Sequence, residues 1–495
     1  MSQIVNDRPP VTYHKKTFFQ RLALDFRQNK MVYLMWLPVL AFYLIFHYAP
    51  MGGLVIAFQN YKPFKGIAKS KFVGLEHFQE FLTGTYAWRT IRNTLVISLL
   101  QILIGFPMPI IFALLMNEVR CNPYKRVVQT VSYMPHFISL VVMCGMISDF
   151  AASTGLFNVF RDLAGKPHLN FLAEPRYYRT IYIASGIWKQ MGWSSILYLA
   201  TLSSVDMSLY EAAAIDGAGR FRQMLSVTLP ALVPIIAVQL IMRMGHIMGE
   251  GHQKTILLYN EMTWEVSDIV SSYVYRRGLK NNDYSFGAAV DLFNSLVNVI
   301  ILCSANYFSK HVVKESLWEG EGADMVESKS FGSRLFDVLN YALLFVLTVV
   351  FLYPLWYVLV GSISDPVRLF MHNGLLWRPL GFSLHGYRTM LQNPNVGIGY
   401  ANTIFYVVVG TVLSIFFSCL GAYTLSRPKL MFKKLFTLLM VFTIYFSGGM
   451  IPIFLVVKGV GLYNTRMAVI LPGVISTWNM IVMRTSFRAI PQSLE

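Results

Sequence analysis

The sequence predicts an all-α integral membrane protein with many spans. Of its 495 residues, 55% are hydrophobic and only 14% are charged, and the mean hydropathy is +0.49. The apolar residues occur in runs of roughly 20, the length that an α-helix needs to cross a bilayer, whereas barrel strands would alternate over about 10 residues. Because only helices and closed barrels satisfy their backbone in lipid, these runs predict about ten transmembrane helices.

Composition also excludes several classes of function. The net charge of +17, from 42 Lys and Arg against 25 Asp and Glu, fits cytoplasmic loops and anionic headgroups better than nucleic acid. The four cysteines lack a paired spacing, which argues against a metal site or a disulfide framework. Neither a GxxxxGKS/T loop nor an HExxH motif occurs, so we expect no cofactor, no metal and no enzyme activity in this chain.

The first half contains six apolar runs after a basic tail. Residues 1–30 are polar and basic and do not resemble a cleavable signal peptide, so they predict a cytoplasmic N-terminus. The basic turn at 120–126 agrees with this orientation, although the lysine cluster at 62–71 then lies outside, against the positive-inside tendency. The predicted spans are 31–58, 93–116, 127–150 with a break at Pro135, 181–202, 229–247 and 286–308.

The second half repeats the first in the same direction. Asn93 and Ala113 recur as Asn402 and Ala422 with the same spacing. At the offset between Ser208 and Ser493, the repeat of Glu211 would fall just past the last residue, so we expect the second unit to stop before its equivalent loop. The predicted organisation is a tail at 1–30, a first unit of six spans at 31–308, a linker at 309–334, and an incomplete second unit at 335–495 with spans at 336–361, 400–426, 435–457 and 467–487.

A short polar stretch between spans four and five has the signals of a capped helix. Ser208 and Glu211 have the spacing of a capping box, in which each side chain satisfies a free backbone amide of the other. An Ala-rich run follows, Gly217 supplies a left-handed stop, and Pro230 suits the start of the next helix. Such a helix is either an ordinary interhelical turn or a docking surface for a soluble partner.

This stretch resembles the EAA loop of permeases from binding-protein-dependent ABC importers of sugars and oligosaccharides. The matching residues are Glu211, Ala212, Ala213, Asp216, Gly217, Leu229 and Pro230, with Arg220 in the same loop. The resemblance implies a type I ABC importer permease fold in two parallel repeats of six and four spans. It also implies that the loop is a coupling helix seated in a groove of a cytoplasmic ATPase.

The resemblance implies partners and a location as well. We expect two copies of a cytoplasmic ABC ATPase, an extracellular lipoprotein or periplasmic sugar-binding protein, and the lipid of a bacterial cell membrane. Residues 314–318 resemble the end of one permease and residues 325–331 the beginning of its sister subunit. The chain therefore resembles two permeases fused, the second truncated, in which case an intact second permease subunit is a further partner.

Candidate substrate-path residues come from spans four to six. Trp188 has the spacing of an aromatic that stacks on sugar in the maltose-type relative, although an interfacial belt is the alternative. Trp193 recurs as Trp478 and is assigned to the same path. The remaining candidates are Arg243, His246 and Glu250 on one helical face of span five, and Asn294 and Asn298 in span six. For Arg243 and Glu250 the alternative is a position at the membrane interface or a pair with each other, and for the two asparagines it is polar contact between packed helices.

The substrate and the transport class are less tightly predicted. Arg243, His246 and Glu250 occupy sugar-contact positions of the maltose-type relative but differ from it in residue type, so the identity of the sugar does not carry over. The basic residues Lys189, Arg243 and His246 are compatible with an acidic oligosaccharide such as a uronate, and a neutral oligosaccharide is the alternative. The alternative class is a secondary active transporter without an ATPase, which the parallel repeat disfavours because many such transporters have inverted repeats.

Overall fold

The computed structural model describes residues 17–249, 251–312, 331–372, 374–427 and 430–490. Nearly all of its regular structure is helical, and a two-stranded antiparallel sheet pairs β1 (Gln59–Asn60) with β2 (Lys71–Phe72). The helices are α1 (Phe18–Gln28), α2 (Lys30–Tyr43), α3 (Ala49–Gly53), α4 (Gly66–Lys69), α5 (Glu76–Thr83), α6 (Ala87–Leu100), α7 (Pro107–Asn117), α8 (Asn122–Tyr133), α9 (Leu140–Ala151), α10 (Phe157–Leu163), α11 (Pro175–Leu202), α12 (Met207–Ile215), α13 (Arg220–Gln223), α14 (Leu229–Met244), α15 (His252–Leu258), α16 (Trp264–Ser267), α17 (Val270–Val274), α18 (Tyr284–Val312), α19 (Phe331–Ser362), α20 (Pro366–Phe370), α21 (His385–Gln392), α22 (Pro394–Ser426), α23 (Lys433–Tyr445), α24 (Met450–Gly459), α25 (Met467–Ile470) and α26 (Thr477–Ala489).

Several of these helices run into one another through tighter or wider turns. The π-helical segments are Leu44–Tyr48, Gln101–Gly105, Met224–Thr228 and Tyr275–Lys280. The 3₁₀ segments are Leu54–Phe58, Met134–Phe137, Glu261–Thr263 and Leu471–Gly473. Each segment lengthens, bends or ends the helix beside it, because its hydrogen bonds step by three or five residues instead of four.

The membrane-crossing helices confirm an all-α polytopic protein but not the count of ten. Within the described ranges, six helices are long and apolar enough to cross a membrane, or eight if each of two bent pairs is one span. The six are Lys30–Phe58, Ala87–Asn117, Arg220–Met244, Tyr284–Ala305, Leu335–Ser362 and Pro394–Ser426. The predicted break at Pro135 is present, since Asn122–Phe137 meets Leu140–Ala151 at 99°.

Three predicted spans differ from the structure. The span predicted at 467–487 is a pair, Met467–Gly473 and Thr477–Ala489, bent by 51°. The span predicted at 181–202 is part of α11, which is long enough but is not among the six, because Lys189, Gln190 and several Ser, Gly and Trp residues lower its mean hydropathy. The single span predicted at 435–457 is wrong. It is two helices, α23 and α24, separated at Gly449, whose φ of 82° lies in the left-handed region where a side chain is strained.

The contacts divide the chain into two compact units. The terminal unit comprises the described residues up to Gly53, Gly399–Gly448 and those from Pro452 onward, and the central unit comprises Leu54–Ile398 with Gly449–Ile451. Helix α2 of the first repeat thus packs with helices of the second, while α19 of the second repeat packs with the first. The domain boundaries expected at 308 and 335 remain a prediction about the repeat, and 313–330 of the linker lie outside the described residues.

Each unit has its own apolar core. In the terminal unit the Trp36 and Phe436 rings stack at 4.9 Å, and the Tyr43 and Thr477 hydroxyls share a hydrogen bond of 2.7 Å. In the central unit, α7, α8 and α11 pack around α19. The buried residues of that cluster are Phe112, Met116, Val119, Val128, Met191, Leu344 and Phe351.

Candidate functional site

The loop between α11 and α14 contains the predicted short helix, but with a different beginning. Helix α12 starts at Met207, and the Asp206 carboxylate accepts a hydrogen bond of 2.7 Å from the Ser208 backbone amide. Asp206 is therefore the N-cap, and the capping box predicted from Ser208 and Glu211 is wrong. An Asp two positions earlier caps as well as Ser does, so the helix starts earlier.

The predicted end of this helix is confirmed. Gly217 has a φ of 76°, and its amide donates to the Ala214 carbonyl at 3.0 Å. The next amide, that of Ala218, donates to the Ala213 carbonyl at 2.9 Å. Together these bonds form a Schellman motif, which satisfies carbonyls that would otherwise be unpaired at a helix end.

After this stop the chain re-enters a helix earlier than predicted. Arg220–Met244 is a continuous helical stretch, so span five begins well before residue 229. Leu229 and Pro230 lie in the first turn of α14, directly after the π-helical segment. The Tyr210 and Thr228 hydroxyls share a hydrogen bond of 3.0 Å, which ties α12 to that segment.

The loop leaves part of its surface open. Ile215 is 84% exposed and Phe221 is 59% exposed, while Ala212 and Asp216 are exposed and Glu211 is half-buried. Arg220 differs, because its guanidinium forms an ion pair with Asp337 of α19 and only 11% of its side chain is exposed. The loop thus presents apolar and acidic groups together.

A cavity of about 920 Å³ lies in the central unit, between α11, α14 and α15. Three predicted path residues line it, namely Trp193, Arg243 and His246. Further polar residues also line the cavity, and of these the sequence singles out only Lys189. They are Gln101, Lys189, Gln190, Gln239, His252, Gln253 and Lys254.

The described lining of the cavity is basic and contains no Asp or Glu. The Lys189 ammonium donates to the backbone carbonyls of His136, at 3.1 Å, and Ile138. The Lys254 ammonium donates to the Tyr182 carbonyl at 2.5 Å and lies 4.2 Å from the centre of the Tyr182 ring. Burial lowers the pKa of His252, so this imidazole is neutral near pH 7.

An aromatic surface accompanies these cations. The Trp193 indole stacks on the His136 ring at 4.3 Å with an interplanar angle of 4°, and Trp193 is 42% exposed. The His136 ring also lies 3.0 Å from the Gln190 amide oxygen, which fixes its orientation. The Phe137 ring also approaches the indole, at 5.6 Å and nearly perpendicular, and Trp193 lines the cavity together with the basic groups.

The other predicted path residues lie elsewhere. Trp188 is half-buried between two apolar clusters, and it is not among the residues lining the cavity. Asn298 accepts a hydrogen bond of 2.9 Å from the Met248 amide, as expected for a polar contact between packed segments. Asn294 is buried, and its side-chain oxygen has no hydrogen-bond partner within the described part of the chain. Glu250 lies outside the described residues, and among those described no group of three His, Cys, Asp or Glu could hold a metal ion.

Comparison with known proteins places these features in one family. Residues 105–314 match the family described as the binding-protein-dependent transport system inner membrane component. The polygalacturonan/rhamnogalacturonan transport system permease protein YteP of Bacillus subtilis is 42% identical over 307 residues, which cover 61% of this chain and 95% of that protein.

Two further comparisons concern a second permease and a solved structure. The polygalacturonan/rhamnogalacturonan transport system permease protein YtcP of Bacillus subtilis is 38% identical over 163 residues, 33% of this chain and 57% of that protein. A chain of a bacterial ABC transporter that imports the acidic polysaccharide alginate is 41% identical, with a TM-score of 0.56. That match covers 59% of this chain and 100% of the other.

Proposed function

Because this chain belongs to the family of binding-protein-dependent transport system inner membrane components, we propose that it carries an acidic oligosaccharide through the cavity of its central unit. The chain is a multi-pass plasma-membrane permease of an ATP-driven importer of sugars or oligosaccharides, and it is a transport subunit and not an enzyme. Family membership also favours this class over a secondary transporter without an ATPase.

The basic cavity carries the proposal about the substrate. Lys189, Arg243 and Lys254 place fixed positive charge around one space, and no carboxylate among the described lining residues offsets it. A uronate presents one carboxylate per sugar ring, and a charge-assisted hydrogen bond to such a group is about twice as strong as a neutral one. Relatives named for polygalacturonan and for alginate, both acidic, support the same substrate class.

The aromatic contact is assigned to Trp193. Its partly exposed indole suits the apolar C–H face of a pyranose ring, and the contacts with His136 and Phe137 hold the indole in place. Trp188, the residue indicated by sequence spacing, is packed between apolar clusters and does not line the cavity, so the sugar contact is not assigned to it. Trp193, Arg243 and His246 then form the substrate path.

The loop from Asp206 to Arg220 is proposed as the docking site for the ATPase. Ile215 and Phe221 are apolar groups that the described residues leave exposed, and Glu211 and Asp216 add negative charge beside them. An importer driven by a closing pair of ATPases needs a surface through which that closure moves the pore. In this arrangement the loop and the N-terminus are cytoplasmic.

The remaining partners follow from the same family. Importers of this family work with a solute-binding protein, as in the alginate transporter solved with its periplasmic binding protein. For this chain we assign a sugar-binding protein outside the membrane and two ATPase copies inside. Matches to two different permeases of one named transport system, over 61% and 33% of the chain, support the fusion of two permease units.

Uptake of a defined acidic sugar tests the proposal. In proteoliposomes containing the complete importer, wild type should take up radiolabelled trigalacturonate in preference to maltotriose. Arg243→Gln and Trp193→Ala should each reduce trigalacturonate uptake about tenfold, since a charged hydrogen bond or a stacked ring contributes roughly 1–3 kcal/mol.

The matched control is Arg388→Gln, which removes an exposed guanidinium of α21 outside the cavity and should leave uptake unchanged. Trp188→Ala should lower protein stability more than it lowers uptake per folded molecule. Equal uptake of the two sugars, with Arg243→Gln indistinguishable from wild type, would contradict the assignment of an acidic substrate.

A further inference from the structure

The first turns of α19 contact the loop and the adjoining turn after α7. Asp337 forms an ion pair with Arg220, the first residue of α13, and the two side chains are 30% and 11% exposed. One turn further, the Tyr341 hydroxyl accepts hydrogen bonds from the backbone amides of Arg120, at 3.2 Å, and Cys121, at 3.1 Å. Two neighbouring cytoplasmic-side segments of the first repeat are thus joined to one helix of the second.

These contacts continue into the core along the same face of α19. The Asn340 side-chain amide donates to the Leu115 carbonyl at 2.9 Å, and Asn340 is 3% exposed. Leu344 and Phe351 follow at helical spacing and pack on Phe112 and its neighbours. A displacement of the first turns of α19 is therefore transmitted to the interior of the central unit, because closely packed side chains are hardly compressible.

The Arg220–Asp337 pair has a reason to persist. Glu118 lies near Asp337, and burial together with the Asp337 charge raises the pKa of Glu118 to about 7. Two carboxyl groups in a partly desolvated place repel each other. Arg120 and Lys125 lower the pKa of Glu118, while Arg220 pairs with Asp337 and so balances the second carboxylate. Only two residues separate Arg220 from the Gly217 stop, so α12 and Arg220 are joined by a short segment.

We propose that Asp337 is a positioning residue that makes α19 move together with the α12–α13 loop through Arg220. This inference rests on the proposed function, in which an ATPase displaces that loop. One coupling loop then drives helices from both sequence repeats: its own neighbour α14 and, through the ion pair, the first helix of the second repeat. The acidic side chain at residue 337 is thereby a part of the coupling machinery that lies outside the EAA-type motif.

Spin-label distances test the joint movement directly. Labels on Leu209→Cys and Val338→Cys, both at exposed positions, report the separation of α12 and α19 after Cys121 and Cys303 are replaced by Ser. In the tagged chain purified with its ATPase, the distance distribution should be narrow and should stay the same on adding ATP and vanadate. Arg220→Asp and Asp337→Arg should each broaden it, and the charge-swapped double variant should restore it.

Transport coupling supplies the second readout. Trigalacturonate-stimulated ATP hydrolysis should fall at least about fivefold in each single variant and recover in the double variant, a size typical of coupling between sites. Arg222→Asp is the matched control, because it reverses an exposed charge two residues after Arg220. Adding Asp337→Arg to this variant should not restore any hydrolysis that it loses. A structural role alone would change the melting temperature without this pattern of rescue.

The outcomes separate the two proposals. Narrow distributions in both single variants, or a double variant no better than either, overturn the inference while leaving the transporter assignment intact. Absence of an ATPase from the purified complex overturns the coupling function and, with it, the role of Asp337. Broadening and rescue accompanied by loss and recovery of stimulated hydrolysis support both.

Discussion

Two charged regions of the central unit, the cluster around Asp268 and the loop from Asp206 to Arg220, satisfy their polar groups very differently. Asp268 is completely buried, and both of its carboxylate oxygens are bonded within the chain. The loop keeps Asp216 at the surface beside Ile215. The difference separates a region whose polar groups are satisfied within the chain from one that, in the proposed function, a second protein covers.

The Asp268 cluster is a bidentate ion pair with additional support. The Arg276 guanidinium donates to both carboxylate oxygens, at 2.8 and 2.6 Å, and the Ser272 hydroxyl adds a bond of 2.8 Å. Arg276 also lies 4.9 Å from the centre of the Trp264 ring, and Arg89 approaches the same carboxylate at 3.4 Å. Such an arrangement fixes the 264–280 segment against α6.

The largest effect is expected where this cluster is broken. Asp268→Asn should lower the free energy of unfolding by about 3–5 kcal/mol, because it leaves the partly buried Arg276 and Arg89 without their anion. Thermal unfolding of the detergent-solubilised protein measures it. Asp162→Asn is the control, since Asp162 pairs with His168 at 2.7 Å with side chains 52% and 40% exposed, and it should change little. Equal melting temperatures for the two variants would contradict the comparison.

An intermediate effect is expected at Glu118, which lies between these extremes. Its pKa is raised from 4.5 to about 7, chiefly by burial and then by Asp337, so the folded protein holds a proton that the unfolded chain releases near pH 4.5. Stability should therefore fall as the pH rises from about 4.5 to 7 and stay lower above it.

Glu118→Gln should remove this slope and raise the free energy of unfolding at pH 8 by up to about 3 kcal/mol. Unfolding curves between pH 5 and 8 measure it, with Glu76→Gln at an exposed position as control. A slope that survives in Glu118→Gln would assign the pH dependence to another group.

The smallest effect on stability is expected in the loop itself. Glu211→Lys reverses a half-buried charge that does not cap α12, so unfolding should shift by no more than about 0.5 kcal/mol. Uptake should nevertheless fall at least about tenfold, because the charge faces the proposed docking groove. Glu76→Lys should alter neither quantity, and normal transport by Glu211→Lys would remove the docking assignment.

The comparison also shows which features could be predicted from the sequence. Gly217 was identified correctly because a left-handed stop depends on one residue and its immediate neighbours. The N-cap was assigned wrongly because Asp206 and Ser208 are both competent caps, and only the backbone path decides between them. The break at Gly449 was missed because hydropathy averages over it, although the adjacent Gly448 was a signal.

Contacts between residues far apart in the sequence were the hardest to predict. The predicted repeat relates Asn93 to Asn402, but similarity in sequence does not tell which helices pack together. The assignment of α2 to the terminal unit and of α19 to the central unit could therefore not be predicted. Lys254 enters the cavity from a short helix after span five, and its carbonyl partner, Tyr182, is 72 positions away in sequence. No local pattern encodes that contact.

The packing of α2 has a consequence for how the chain is made. Its Tyr43 hydroxyl is hydrogen-bonded to that of Thr477, 434 residues later in the sequence, and its Trp36 ring stacks on Phe436. At a synthesis rate of 5–20 residues per second, the first helix to enter the membrane stays without these neighbours for about 20–90 s. A ribosome that stops before residue 399 therefore releases a product in which α2 lacks every partner from the later segments of the terminal unit. Quality-control proteases can recognise such an unpacked helix.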